Sequence, residues 1–355
     1  MSVGQSLDPT RLGDAFEVVA GQVRDGQVPA AVLAVARGHG MVRCEAFQHD
    51  GGDRVAPDSV FMVASITKPI VATAVMQLVE AGRLVLSAPL ATYIPEFAPP
   101  PAAPGGESVT VWHVLTHTAG IEDFDATMLA RERPRPADLL RRACTRPLLF
   151  RPGSRHAYVS GSFYLLAEVI ERLSGMPFAR YLHERVTAPL GMTNTAFDPP
   201  ADRDRRVRVR WLGVPEMLVE PAVAYLASIE MPGGGLWSTA SDLVSFGMAM
   251  LAGGRLGTVR VLGQPFVDLM TRDHTVGITD EATGLPAHYG LGWGKPGLSG
   301  CLPASAASFG HGGATGTRLL VDPDADLVVA YLANDWQASM LPSQEATQAV
   351  YAALD

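Results

Sequence analysis

Cysteine is scarce in this chain, and the three present, Cys44, Cys144 and Cys301, are an odd number at wide spacings, which points to reduced thiols rather than a disulfide framework. No metal-ligand spacing links them. Long apolar runs are missing too: none approaches the roughly 18 residues that a membrane-spanning helix needs. The opening Met1-Ser2-Val3-Gly4-Gln5-Ser6-Leu7-Asp8 has no basic start, no apolar core and no small-residue cleavage site, so no signal peptide is read and a cytoplasmic location is expected. Positive charge is in deficit, with 28 Lys and Arg against 36 Asp and Glu and a formal net charge of -8 at pH 7. Nucleic acid and anionic membranes would repel such a protein, so neither is expected as a partner. There is also no Gly-x-Ser-x-Gly elbow, which argues against the common α/β-hydrolase esterases. His113 and His117 are four apart, but Val114 stands where a zinc protease His-Glu-x-x-His has its Glu. No metal and no other cofactor is expected.

What is present is 47% apolar and 18% charged residues over 355 positions, an ordinary globular balance with chain enough for about two domains. Leu12, Phe16, Val19 and Val23 recur at helical spacing, and the apolar runs Ala30 to Ala36 and Met41 to Phe47 read as strands. From Ser65 onward, Ile66, Ile70, Ala74 and Leu78 mark a helix that Gly82 and Pro89 terminate. The stretch Ala98 to Gly106 is nearly all Pro, Ala and Gly and reads as a loop, because helical patterns resume beyond it. Phe163, Ala167, Ile170 and Leu173 form the next helical stripe, followed by a helix from Pro177 towards Val186. Arg206, Arg208 and Arg210 alternate with Val207, Val209 and Trp211, as in a solvated edge strand. Near the end, two apolar runs flank Asp322-Pro323-Asp324-Ala325, a hairpin signal, and a helix from Ser343 to Leu354 closes the chain. Strands at both ends with helices between imply an α+β fold, with one antiparallel sheet built from the two termini and a mostly helical middle inserted into it. The division expected is 1–64 with 225–355 as the sheet domain and 65–224 as the helical domain, with the active site in the cleft between them.

The chemistry is concentrated in Ser65-Ile66-Thr67-Lys68 at the start of the helix. Residues three apart on a helix are neighbours, so the lysine amine reaches the serine oxygen. An unprotonated lysine can take the serine proton without any histidine, provided that burial lowers its pKa from about 10.4, and such lowering is expected here. Free backbone N–H groups at the helix start also favour a developing negative charge near Ser65.

Two further motifs follow in order, Tyr158-Val159-Ser160 and His311-Gly312-Gly313. With Ser-x-x-Lys they make the chain resemble the serine beta-lactamase and penicillin-binding-protein superfamily, on the branch of class C beta-lactamases, DD-peptidases and class VIII esterases. Val114 to Ile121, the run from Pro152-Gly153 to Gly191-Met192, and Gly233 to Thr239 carry the likeness over nearly the whole chain. The resemblance implies that Ser65 is the nucleophile, that Lys68 and Tyr158 move protons, and that the backbone N–H groups of Ser65 and Ala314 form an oxyanion hole. A phenol beside the lysine charge would favour the phenolate. His311 stands for the family lysine that anchors a substrate carboxylate, and Gly313 would lie on a strand edge where a substrate approaches the backbone. Ser160 replaces the family Asn, with one donor where an amide has two. Asp125, located by counting from Thr116-His117-Thr118, would add negative charge to the pocket rim. The implied function is a serine acyl hydrolase, a carboxylesterase acting on small esters. The alternatives are a beta-lactamase or D-aminopeptidase-like amide hydrolase, an acyltransferase of secondary metabolism, and a non-catalytic penicillin-recognising protein.

Overall fold

The structure is a computed structural model that describes residues 7–38, 40–49, 54–102, 106–124, 126–198, 202, 205–211, 213–336 and 339–354. Its centre is a five-stranded antiparallel sheet. The strands are β1 (Ala30–Arg37) and β2 (Gly40–Gln48) from the N-terminal part, with β3 (Phe309–Gly313), β4 (Thr317–Asp322) and β5 (Leu327–Ala333) from the C-terminal part. Their order across the sheet is β2-β1-β5-β4-β3. The junction between the two chain ends is the β1–β5 ladder, which pairs Ala31 with Ala333 and runs to Arg37 with Leu327. The fold is therefore α+β, with one sheet closed by both ends of the chain.

Both central strands read as continuous apolar runs because they are covered on both faces. Alternation along β1 sends Val32, Ala34 and Ala36 into the core on one side and Ala31, Leu33 and Val35 into the core on the other. The second core is completed by helix α1 (Pro9–Arg24), through Leu12, Phe16, Val19 and Val23, and by the C-terminal helix Leu341–Tyr351. The first core contains Ile66, Ile70, Val71 and Val75, the last three on helix α2 (Thr67–Glu80), and Leu243, Phe246 and Ala249 of helix α3 (Ala240–Leu251). Burial of each such side chain is worth about 1.5–3 kcal/mol. The layering places the start of α2 beside the edge strand β3.

The hairpin between β4 and β5 forms because the Asp322 carboxylate accepts the N–H groups of Asp324 and Ala325, an Asx-type turn. The helix expected over 177–186 is a short α-helix, Phe178–Leu182, that widens into a π-helical turn at His183–Thr187. The arginine segment is not a solvated edge strand. Arg206 pairs with Glu220, Arg208 with Glu216 and Arg210 with Asp335; Arg206 bridges to Val60, and Arg210–Trp211 forms a short ladder parallel to Asp335–Trp336. Two of those carboxylates sit on the helix Glu216–Ser228, ten or more positions downstream of Arg206, which is why strand alternation alone did not reveal them. Among the described residues no helix is long and apolar enough to cross a membrane.

Candidate active site

Ser65 lies in a single 3-10 turn, Ala64–Ile66, just ahead of α2 rather than inside it. The turn is held open in a strained form, since Ala64 has φ of 46°, a conformation unusual for a residue with a Cβ. Hydroxyls fasten it from several directions: Thr67 Oγ1 donates to Ala64 O at 2.6 Å, Thr315 to Met62 O at 2.7 Å and Thr317 to Val63 O at 3.2 Å. Gly313 closes the back of the turn. A Cβ on it would fall 2.4 Å from Val63 O and 2.1 Å from Thr317 Oγ1, so packing against the serine turn requires a glycine here.

Lys68 is wholly buried. Its Nζ lies 3.1 Å from Ser65 Oγ, 2.9 Å from Ser160 Oγ and 2.6 Å from Gly233 O. The Gly233 carbonyl can only accept, so it always takes one N–H from the amine. When the amine is neutral, a second N–H goes to Ser160 and the lone pair is left for the Ser65 hydroxyl. Burial drives this state, pulling the lysine pKa down to about 7, with the Asp123 charge acting in the opposite direction. The carbonyl reaches the lysine because Gly233 has no side chain; a Cβ there would fall 2.4 Å from Ser160 O.

Tyr158 stands over the pair, with Lys68 Nζ 4.6 Å from its ring centroid. Burial pushes its phenol well above the usual range, hydrogen bonding with Ser65 pulls it back, and the Asp123 charge pushes it up again. The residue as a whole is 42% exposed, and water at the mouth of the site moderates the push. The expected phenolate is therefore not the resting form. Desolvation outweighs the attraction of Lys68, which is itself held near neutral, and the tyrosine rests as a phenol. Behind it the His117 ring packs 4.5 Å away and its Nδ1 accepts the Val159 N–H at 3.2 Å. His117 lies past the end of the short helix Val111–Leu115, with φ of 56°, and His113 caps the start of that helix through Thr110. Among the described residues no cluster of His, Cys, Asp and Glu is placed to hold a metal ion.

His311, on the edge strand β3, accepts a hydrogen bond from the Tyr289 hydroxyl at Nε2, 2.8 Å, and its Nδ1–H donates to Gly312 O at 2.7 Å. Burial, with help from the Lys68 charge, takes its pKa down to about 3, so the ring is neutral. Ala314 is exposed at the turn joining β3 to β4, next to Gly313 and the serine turn. A cavity of about 300 Å³ opens beside Tyr158 and His311, walled further by Tyr289, Lys295, Gly312 and Arg318.

Sequence counting did not single out a carboxylate that the structure places beside this chemistry, Asp123. Asp125 lies outside the described residues. Asp123, two positions earlier, accepts the backbone N–H groups of Ser160 at 3.0 Å and Gly161 at 2.7 Å. Only its position just after Ala119-Gly120-Ile121 hinted at it, because its partners lie 37 and 38 residues further on.

A serine beside a buried lysine, under a tyrosine and at a sheet edge, is the constellation of a serine hydrolase, and comparison with known proteins gives the same class. A family model described as Beta-lactamase matches residues 16–353. Esterase EstB of Burkholderia gladioli is 30% identical over 381 aligned residues, which cover 93% of this chain and 92% of that protein. Among solved structures, EstCE1, described as a hydrolase with promiscuous acyltransferase activity, superposes with a TM-score of 0.82 at 22% identity, covering 96% of this chain and 99% of that one. A family VIII carboxylesterase does so with a TM-score of 0.80 at 22% identity, covering 99% of each chain. The chain belongs to the beta-lactamase family, and it is a serine hydrolase with a small-molecule substrate.

Proposed function

We propose that the protein is a carboxylesterase that forms an acyl-enzyme on Ser65. The observation that carries this is the buried, near-neutral amine of Lys68, 3.1 Å from the Ser65 oxygen. Ser65 Oγ bonds to the ester carbonyl carbon as its proton passes to Lys68 Nζ. The N–H groups of Ser65 and Ala314 receive the oxyanion, at the start of α2 and the end of β3. As the C–O bond to the alcohol breaks, the Tyr158 phenol hands its proton to the leaving oxygen and regains one from Lys68. Water then adds to the acyl carbon, gives a proton back through the same pair, and releases the carboxylic acid and free Ser65. In this reading α2, the Tyr158 turn of the helical middle and the sheet edge meet in a cleft between a sheet domain and a helical domain, divided as 1–64 with 225–355 and 65–224.

Esters are favoured over anionic amides by two features. His311 offers no positive charge to a carboxylate at neutral pH, since burial takes its pKa down to about 3. The Ser160 hydroxyl is engaged by Lys68 and presents no amide to an acylamino group. The names of EstB and of the family VIII carboxylesterase agree with that preference. Three free cysteines, including exposed Cys301, support a cytoplasmic location. Turnover on a panel of short-chain p-nitrophenyl esters, a chromogenic cephalosporin and a D-alanyl-D-alanine peptide tests the assignment. The best ester should exceed the other two in kcat/KM; a cephalosporin or peptide equal to it would move the protein to the amide hydrolases.

A further inference from the structure

We propose that Asp123 is the positioning residue of this site: its carboxylate fixes the turn that carries Tyr158 and Ser160 against Lys68, and its negative charge bears on the proton that Lys68 takes. The inference rests on Lys68 as the base.

The clamp is visible in the hydrogen bonds. One carboxylate gathers three backbone N–H groups, with Oδ2 accepting from Ser160 at 3.0 Å and Oδ1 from Gly161 at 2.7 Å and Phe124 at 2.8 Å. Bonds from N–H groups to a carboxylate are about twice as strong as neutral ones. They act two residues from the Tyr158 phenol and at the backbone of Ser160, whose hydroxyl is a direct partner of Lys68. The Phe124 ring closes the other side, since a Cβ on Gly161 would fall 2.5 Å from it. Asp123 thereby ties the segment after Gly120 to a turn about 40 residues away, and without it nothing else among the described hydrogen bonds holds the Ser160 and Gly161 N–H groups.

The charge acts on both proton carriers. Facing the lysine are Ser65 from the 3-10 turn, Tyr158 and Ser160 from the clamped turn, the Gly233 carbonyl, and the imidazoles of His117 and His311. Burial holds both imidazoles neutral, so they bring little charge. Asp123 favours the ammonium form of Lys68 and disfavours the phenolate of Tyr158. It therefore opposes the fall in the amine's basicity that burial causes and adds to the burial that holds the proton on the tyrosine.

The test is kcat/KM against pH on an uncharged ester, at low and high ionic strength, for the wild type, Asp123→Asn, Asp123→Ala and Lys68→Ala. The acid limb reports protonation of Lys68. Removing a negative charge lowers the pKa of the amine, so in Asp123→Asn this limb should move to lower pH by about half a unit, the scale of an exposed charge screened by water. Added salt should shift the wild-type limb the same way and leave that of Asp123→Asn in place. Asp123→Ala also frees the turn, and should lose about tenfold or more in kcat with KM within about twofold. The position of the limb does not depend on how much enzyme is folded, so partial misfolding leaves the reading intact. An unmoved limb in Asp123→Asn, or wild-type kcat in Asp123→Ala, overturns the proposal while Lys68 stays the base. Activity retained in Lys68→Ala overturns the base assignment itself and the proposal with it.

Discussion

Replacing Lys68 with methionine should make the protein more stable at neutral pH and less stable in mild alkali. In the unfolded chain the amine titrates near 10.5, whereas in the folded protein burial takes it to about 7. Below pH 7 both states hold the proton, and the full unfavourable difference is present. Between pH 7 and 10.5 the unfolded chain binds more protons than the native one, so stability rises with pH, and above 10.5 the difference is gone. At about 1.4 kcal/mol per pKa unit, the lowering corresponds to roughly 5 kcal/mol against folding at or below pH 7. Methionine removes that cost but leaves the Gly233 carbonyl without its donor, which costs about 1–3 kcal/mol. The two hydroxyls, Ser65 and Ser160, keep the Tyr158 phenol as a partner. Lys68→Met should thus gain about 3 kcal/mol at pH 7, with the advantage falling as pH rises and reversing at about pH 9. Urea unfolding of both proteins from pH 6 to 10 measures it. A stability difference that stays constant across that range would mean the amine is not shifted by burial, and the base assignment would lose its physical ground.

Other outcomes follow from the same geometry. Ser65→Ala should lose all turnover and all labelling by a serine-reactive phosphonate with an unchanged circular dichroism spectrum, and labelling that persists at another serine would remove Ser65 as the nucleophile. Tyr158→Phe should lower kcat by about 100-fold or more, the scale of losing a general acid, while near wild-type kcat would leave the lysine to work alone. Gly233→Ala places a Cβ 2.4 Å from Ser160 O, so it should cost about 1–3 kcal/mol and most of the activity; a stable, active variant would show that the close approach is not needed. Exhaustive chelation should leave esterase activity intact, and a loss restored by zinc would reopen a metal role for the histidines.

Much of this protein was legible without coordinates, because the signals concerned are local. Alternation along Ala30 to Ala36, a four-residue stripe after Ser65 and an Asp-Pro-Asp turn each specify the backbone within about ten residues, and all three elements form. The Ser65–Lys68 contact belongs with them, since residues three apart meet on any helical turn. The protonation states belong to the tertiary structure. A pKa is set by the atoms packed round a group, and those come from far along the chain: Lys68 is ringed by Ser160 and Gly233, 92 and 165 residues away. The lysine charge beside Tyr158 argues for a phenolate, whereas desolvation of the phenol, which only the packed site supplies, holds the proton on it. Counting along the sequence did not reach Asp123, because its role is set by backbone N–H groups of Ser160 and Gly161 that only folding brings to it. Sequence fixed which groups could react; three-dimensional packing decided which of them carry a proton at neutral pH.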